Sequence, residues 1–421
     1  MRAGWPICRH GLTAAALPAY AMKLVPFSHQ YLRLDEPLPF GLRDASGRLL
    51  LGGGLRLESE ARLAELMQQE LFADEAESAD WTRRLNAAVH VMIRQEARLG
   101  QVAAARPEPA RAAGGAATLT LAEQWLDLVQ RLDGALRDVR PGSDWRARLL
   151  AVHGQARQLY RRRPDASLYQ LVFDAAHSCE KYSCHHALLT LLVCEETAAT
   201  LAWPAGWIDS LGRAALTMNV AMLRLQDRLA ASELPPCAEA RAEIAAHADK
   251  GARMLEEAGL VDALCLEAVR LHHTELPAPG EDVPLTAGQQ LGQMLHRVDV
   301  FCALLSSRAT RAAMSPLQAA RVACLGPGGE PDDIGAALLK SVGLYPPGSF
   351  VELASGEVGI VVARGRRANL PYVAALVSAS GNPLGEPMLR DSLDRRHAVK
   401  GAVPAGSVKV RPPHERLMAM V

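Results

Sequence analysis

The sequence predicts a mainly α-helical protein, with a helical bundle at its centre and a small β-rich unit at each end. Three observations predict it. Apolar residues recur at helical spacing from about 119 to 343, broken at Trp203 and Pro204, at Pro235 and Pro236, and over 277–284. Only 5% of residues are aromatic in a chain that is 49% hydrophobic, so helices packed through Ala and Leu supply the interior. Apolar runs on either side of glycine turns occur only near the two ends.

Taken in order, residues 1–22 hold Arg2, a weakly apolar middle and the AYA run 19–21, a faint imitation of a signal peptide that Arg9 and His10 interrupt. They are expected to be a disordered leader, with Met22 as a candidate true start. Residues 23–103 are expected to form a β-plus-helix domain. Within it, strands over 38–43 and 48–51 flank a turn ending in Gly47, a helix starts at Ser59, and a second helical stretch covers 79–103. Residues 104–118, rich in Pro, Gly and Ala, read as a linker. Connecting helices fill 119–164, the bundle 165–345, a small β extension 346–395 and a tail 396–421. In the extension, 349–353 and 358–362 form a hairpin around Ser355 and Gly356, and 372–377 a further strand. No internal repeat is found.

Lys plus Arg equals Asp plus Glu at 46 each, which excludes a general attraction to nucleic acid or acidic membranes. No stretch of 18 apolar residues occurs, so no membrane span is expected. Eight cysteines without a CxxC pair read as reduced, buried thiols of a cytoplasmic protein. The cluster of His177, Cys179, Cys184, His185 and His186 fits no common zinc-finger spacing, and core thiols are the plainer reading.

Of the thirteen histidines, seven lie between 177 and 296, inside the helical middle. Helical bundles draw metal ligands from several helices, so scattered residues at long spacing are the pattern to test. His186, His247, the pair His272 and His273, and Asp299 supply it. The segments around them are YSCHHALL (182–189), EIAAHADKGARML (243–255), AVRLHH (268–273) and RVDVFCAL (297–304), the last followed by Ser307 and Arg308. With LTMNVAML (216–223), the intervals 186 to 218, 218 to 247, 247 to 272 and 273 to 299 are 32, 29, 25 and 26 residues. Together these segments, and VGLYPPGSFVEL (342–353) beyond them, resemble an HD-GYP domain of the HD phosphohydrolase superfamily, over about half the chain.

That resemblance implies an HD-type bundle and a metal site made by His186, His247, His272, His273 and Asp299. It also marks a departure. Where the family carries His-Asp-x-Gly-Lys, this chain has Met218, Asn219 and Met222. A bridging aspartate supplies charge and two oxygens, whereas Asn219 offers one weakly basic oxygen and Met218 a soft thioether. Without the bridge, a two-metal arrangement for phosphodiester hydrolysis is expected to fail. Met222 removes the phosphate-facing lysine, and TELPAPGE (274–281) replaces the Gly-Tyr-Pro loop. Leu211, Ala215, Met218 and Met222, at helical spacing, read as an ordinary buried face.

The resemblance so amended implies a catalytically degenerate regulatory or binding module in bacterial cyclic di-GMP type signalling, with no catalytic residue expected. It would hold no metal or one divalent ion (iron, manganese or zinc), take signalling proteins as partners and cyclic di-GMP as a candidate ligand, with a homodimer as a candidate assembly. Two alternatives stay open: a metal-dependent phosphodiesterase with an altered site, and a protein-interaction scaffold resembling HDOD modules. Metal content separates them.

Overall fold

The computed structural model describes residues 24–29, 32, 34, 38, 41–45, 49–51, 60–74, 78, 120–274, 284–325, 331–410 and 412–420. The leader over 1–22, the helical stretch over 79–103 and the linker over 104–118 lie outside these residues, apart from Ser78 at the border. The chain divides into two compact units, Met1–Thr118 and Leu119–Val421.

In the first unit, β1 (Leu24–Pro26), β2 (Leu42–Arg43), β3 (Leu49–Leu51) and β4 (Phe72–Asp74) form an antiparallel sheet in the order β1-β4-β2-β3. The helix α1 (Glu60–Met67) starts where Ser59 announces it, with Glu60 in its first turn. Leu66 on α1 and Leu42 on β2 are fully buried, in a small core with Phe27, Leu38 and Leu71. The expected turn between two apolar runs is the β2–β3 hairpin, with Leu42 opposite Leu51.

The second unit is a helical bundle: α2 (Leu121–Arg137), α3 (Trp145–Arg162), α4 (Pro164–His177), α5 (Tyr182–Thr200), α6 (Ala205–Thr217), α7 (Leu223–Ala231), α8 (Ala238–Glu257), α9 (Ala263–Leu271), α10 (Ala287–Leu305), α11 (Pro316–Ala323) and α12 (Asp333–Val342). Local chemistry explains most starts. Thr120, Thr286 and Ser315 each open a capping box, with Glu123, Gln289 and Gln318 reaching back. Asp262 and Asp332 accept the N–H groups of Cys265 and Gly335 at α9 and α12. α2 and α3 bury Trp125, Leu128, Trp145 and Val152 in the same core as α5 and α10. These two helices are part of the bundle's packing, not only a connection to it.

A five-stranded antiparallel sheet follows: β5 (Phe350–Leu353), β6 (Val358–Ala363), β7 (Tyr372–Val377), β8 (Pro383–Asp391) and β9 (Val399–Val403), in the order β8-β7-β6-β5-β9. Its inner face packs on α4, with Phe350, Ile360 and Val362 against Ala166 and Tyr169. Gly348 lets the chain approach that closely. Its φ is +92°, and a Cβ there would stand 2.6 Å from the Tyr169 carbonyl oxygen. The sheet runs past residue 395, where the sequence pattern was read as ending. β9 pairs with β5, Phe350 opposite Val403, and α13 (His414–Met418) buries Leu417 and Met418 against the inner face. The tail is therefore structural. Its apolar residues are too few and too spaced to announce a core until β5 supplies the partner strand.

Arg364, just past β6, ties the sheet to the bundle. It donates to Asp165 on α4 at 2.5 Å, to Glu196 on α5 at 3.1 Å and to the Ser341 carbonyl on α12 at 2.6 Å. Arg364→Ala is expected to lower stability by on the order of 2–3 kcal/mol, since it strands two largely buried carboxylates. The exposed neighbour Arg366, changed to Ala, should shift it by less than about 0.5 kcal/mol. Denaturant midpoints of the two variants check this. Burial raises the carboxyl of Asp174 on α4 from 3.8 to about 6, partly offset by the Gln170 hydrogen bond. The folded state then binds the extra proton, so this group's contribution to stability falls as pH rises from about 4 to about 6. Asp174→Asn should accordingly raise the melting temperature at pH 8 more than at pH 4, as paired thermal melts would show.

Candidate metal centre

α5 begins abruptly. Lys181 before it is left-handed at φ 43°, and the free N–H of Ser183 finds Asp227 on α7 at 2.9 Å. One turn in, His186 is 1% exposed. Its ring stacks on Tyr182 at 5.7 Å, and Tyr182 is held from outside by the Arg308 guanidinium, 2.9 Å from its hydroxyl and 5.0 Å over its ring. The Nε2 of His186 lies 2.7 Å from Asp299 Oδ1 on α10, and its Nδ1 is buried with no hydrogen-bond partner among the described residues.

α8 and the turn after α9 bring in two more imidazoles, each anchored to its own backbone. His247 Nδ1 faces the Ile244 carbonyl at 2.5 Å, and His272 Nδ1 faces the Val269 carbonyl at 2.6 Å. A carbonyl accepts, so each Nδ1 carries the hydrogen and each Nε2 of a neutral ring carries a lone pair. The two Nε2 atoms stand 3.1 Å apart. Lone pairs that close repel unless they share a cation. The separation is near the roughly 3 Å between neighbouring nitrogen ligands of one ion with bonds of about 2.1 Å. Donation of Nδ1–H to a backbone carbonyl is also the usual support of a metal-binding histidine.

His273 completes a group of three, with ligand atoms of His247, His272 and His273 all within 4.8 Å of one another. Its Nε2 is 4.0 Å from Asp299 Oδ2, which links the trio to His186. Burial, then the charge of His273, pushes His272 down to about 3, so its lone pair is available at neutral pH. Burial also lowers His273, against the pull of Asp299. Asp299 feels burial upward, yet the His186 hydrogen bond and the charges of His186, His272 and His273 hold its carboxyl well below the ordinary range. Among the described residues Asp299 is the only carboxylate within 4.0 Å of these imidazoles.

The structure thus gathers His186, His247, His272, His273 and Asp299 from three helices, α5, α8 and α10, and the segment after α9. The residues fit a divalent ion, and His247, His272 and His273, backed by Asp299 and His186, would hold it. α6 ends at Thr217. Met218 is 1% exposed within the main core, and Asn219 is 8% exposed and opens a single 3₁₀ turn, Val220–Met222. One turn beyond His247, Gly251 packs over this turn, where a Cβ would meet Val220 Cγ1 at 3.6 Å and the Met218 carbonyl at 3.7 Å. Met218 and Asn219 therefore abut the helix of His247. Met222 departs from the buried face expected for it: the helix ends at Thr217, before reaching it, and Met222 is only half-buried.

His177, Cys179, Cys184 and His185 do not assemble a second site. His177 stacks on Phe173 at 3.9 Å, Cys179 contacts the Ser307 carbonyl, and burial pushes the Cys184 thiol up to about 12. Sequence reasoning missed His296. It lies one turn before Asp299 on α10, its ring 5.6 Å from His273 and its Nδ1 buried without a hydrogen-bond partner among the described residues. The available signal was the i, i+3 spacing of His296 and Asp299 on one helical face.

The chain matches no family model. It is 31% identical over 138 residues to the cyclic di-GMP phosphodiesterase PA4108 of Pseudomonas aeruginosa, an alignment covering 32% of this chain and 33% of that one. The alignment therefore spans about a third of that relative's length. A comparison with solved structures finds a likeness to Bd1817, an HDG"Y"P protein from Bdellovibrio bacteriovorus, with a TM-score of 0.41 and 13% identity over 75% of this chain and 98% of that one.

Zinc, manganese or iron added to chelator-treated protein is expected to raise the melting temperature, since a ligand at 100 times its Kd adds about 2.7 kcal/mol. His272→Ala should remove both the shift and the bound metal, and His177→Gln should remove neither. Thermal melts with elemental analysis of the same samples check this.

Proposed function

We propose that this HD-GYP-like chain is a catalytically degenerate regulatory or binding module of bacterial cyclic di-GMP type signalling, acting in the cytoplasm on signalling-protein partners. One observation carries the reading. The turn beside His247 presents a buried methionine and a neutral amide, Met218 and Asn219, and among the described residues Asp299 alone supplies a nearby carboxylate. Two divalent ions held close together by neutral imidazoles would repel one another strongly, and no bridging carboxylate is there to offset them.

The residues that remain support one ion at most. Bound there, a divalent ion would polarise a phosphate oxygen. The chain's own groups would fix and orient: the Ile244 and Val269 carbonyls set the tautomers of His247 and His272, and Asp299 holds His186 and steadies His273. No group in the 218–222 turn can carry a proton to a leaving oxygen. Cyclic di-GMP is the candidate ligand, because a relative of 31% identity over 138 residues is named as acting on it.

A second reading, a phosphodiesterase with an altered metal site, is favoured by the 3.1 Å pair of His247 and His272. One assay separates the two. Protein reconstituted with manganese or iron is expected to bind cyclic di-GMP without hydrolysing it at a useful rate. The double variant Met218→His with Asn219→Asp is expected to take up a second metal equivalent. Robust turnover by the unmodified protein, abolished by His247→Ala, would overturn the proposed reading. Protein that takes up no metal at all would favour a scaffold resembling HDOD modules.

A further inference from the structure

A second site lies toward the far end of α5. Arg364 meets α5 at Glu196, ten residues beyond His186, which is on the order of 15 Å along the helix at 1.5 Å per residue. Beside Arg364 is a cavity of about 330 Å³, formed where the end of α12 and residues 343–345 face the loop 364–371. No acidic residue lines it, while Lys340, Arg364, Arg366 and Arg367 all do. Arg364 is already held by Asp165 and Glu196, so it forms a fixed wall. Lys340, Arg366 and Arg367 are exposed at the rim and form no ion pair among the described residues.

The enclosure is built rather than incidental. The Leu344 N–H donates to the Ala368 carbonyl at 2.7 Å and pins the two walls together. Gly365 is forced by the close pass of the Leu370 carbonyl, which any side chain at 365 would strike. Tyr345 lines the cavity, is only 8% exposed, and its hydroxyl has no hydrogen-bond partner among the described residues. Three exposed cations line a concave surface that no carboxylate lines. A multiply charged anion complements that charge, and guanidinium forks match the oxygens of phosphate in particular. The volume is at the small end of ligand sites, which suits a nucleotide or a pyrophosphate group.

We propose that this cleft binds a small phosphate-bearing anion at a site separate from the metal centre. The proposal is independent of either reading of that centre. Calorimetric titration of the full chain, stripped of metal by chelation, tests it with inorganic pyrophosphate and, separately, with GTP. Both probes are expected to bind, more weakly as salt is raised from about 50 to about 300 mM. Arg366→Glu with Arg367→Glu should weaken binding about tenfold or more, as expected when charge-assisted phosphate contacts are lost. His247→Ala should leave it unchanged. Tighter binding of GTP than of pyrophosphate would show that the nucleoside is also read; equal affinity would assign the site to phosphate alone. If the double glutamate variant unfolds, Lys340→Gln with Arg366→Gln tests the same loss without adding carboxylates. Absence of binding by either probe at millimolar concentration would overturn the proposal. So would undiminished affinity in the charge variants, or loss of binding in His247→Ala.

Discussion

Burial of α5 on almost every side is the constraint on which the second unit depends. Of its residues, Cys184, Leu188, Leu189, Leu191, Cys194 and Ala198 are fully inaccessible, and it has no side-chain cap at its start. Each large aliphatic side chain so buried contributes on the order of 1.5–3 kcal/mol, which holds the helix without help from its ends. Polar groups on such a helix are costly unless neighbours satisfy them. His186 finds Asp299, Thr197 finds the Val193 carbonyl and Ser341, and Glu195 finds both His153 and Arg157. Gly212 on α6 leaves the space in which His153 and Glu195 meet. The polar positions of α5 thus determine where α3, α6, α10 and α12 present their own polar groups.

The metal centre follows from that order. Because α5 is fixed, His186 and Asp299 form a rigid edge, and α8 and α9 close on it with His247 and His272 already oriented by their own backbones. The arrangement keeps lone pairs pointing inward. What it lacks is negative charge on the side of residues 218–222, where the chain has spent the position on core packing. A site of imidazoles with one carboxylate suits a single ion better than two. The cationic cleft beside Arg364 has the opposite character: positive charge is concentrated there, and the carboxylates nearest to it are already engaged.

Much of this was legible in the sequence, for identifiable reasons. His186, His247, His272, His273 and Asp299 stand in ordered segments whose spacing survives even where the chemistry between them changed. The strands at 350–353, 358–363 and 372–377 announced themselves because both of their neighbours are glycine-marked turns. His296 escaped notice because its segment was read for Asp299 alone. β9 and α13 escaped because a strand of half-buried residues and a five-residue helix carry little periodicity of their own.

By itself, then, the sequence determined the helical middle, the β-rich ends, a set of candidate metal-reaching residues, and a neutral amide, Asn219, where the resemblance implies an aspartate. These are properties of local pattern and residue type, which no packing can alter. Only the tertiary structure decided that His247 and His272 meet at their Nε2 atoms, because that depends on carbonyls three residues away and on two helices closing together. It likewise decided that Arg364 finds Asp165 across 199 residues of chain and that Leu417 belongs to the core. Such contacts join side chains far apart in sequence, and only the packing of α5 and the sheet brings them within reach.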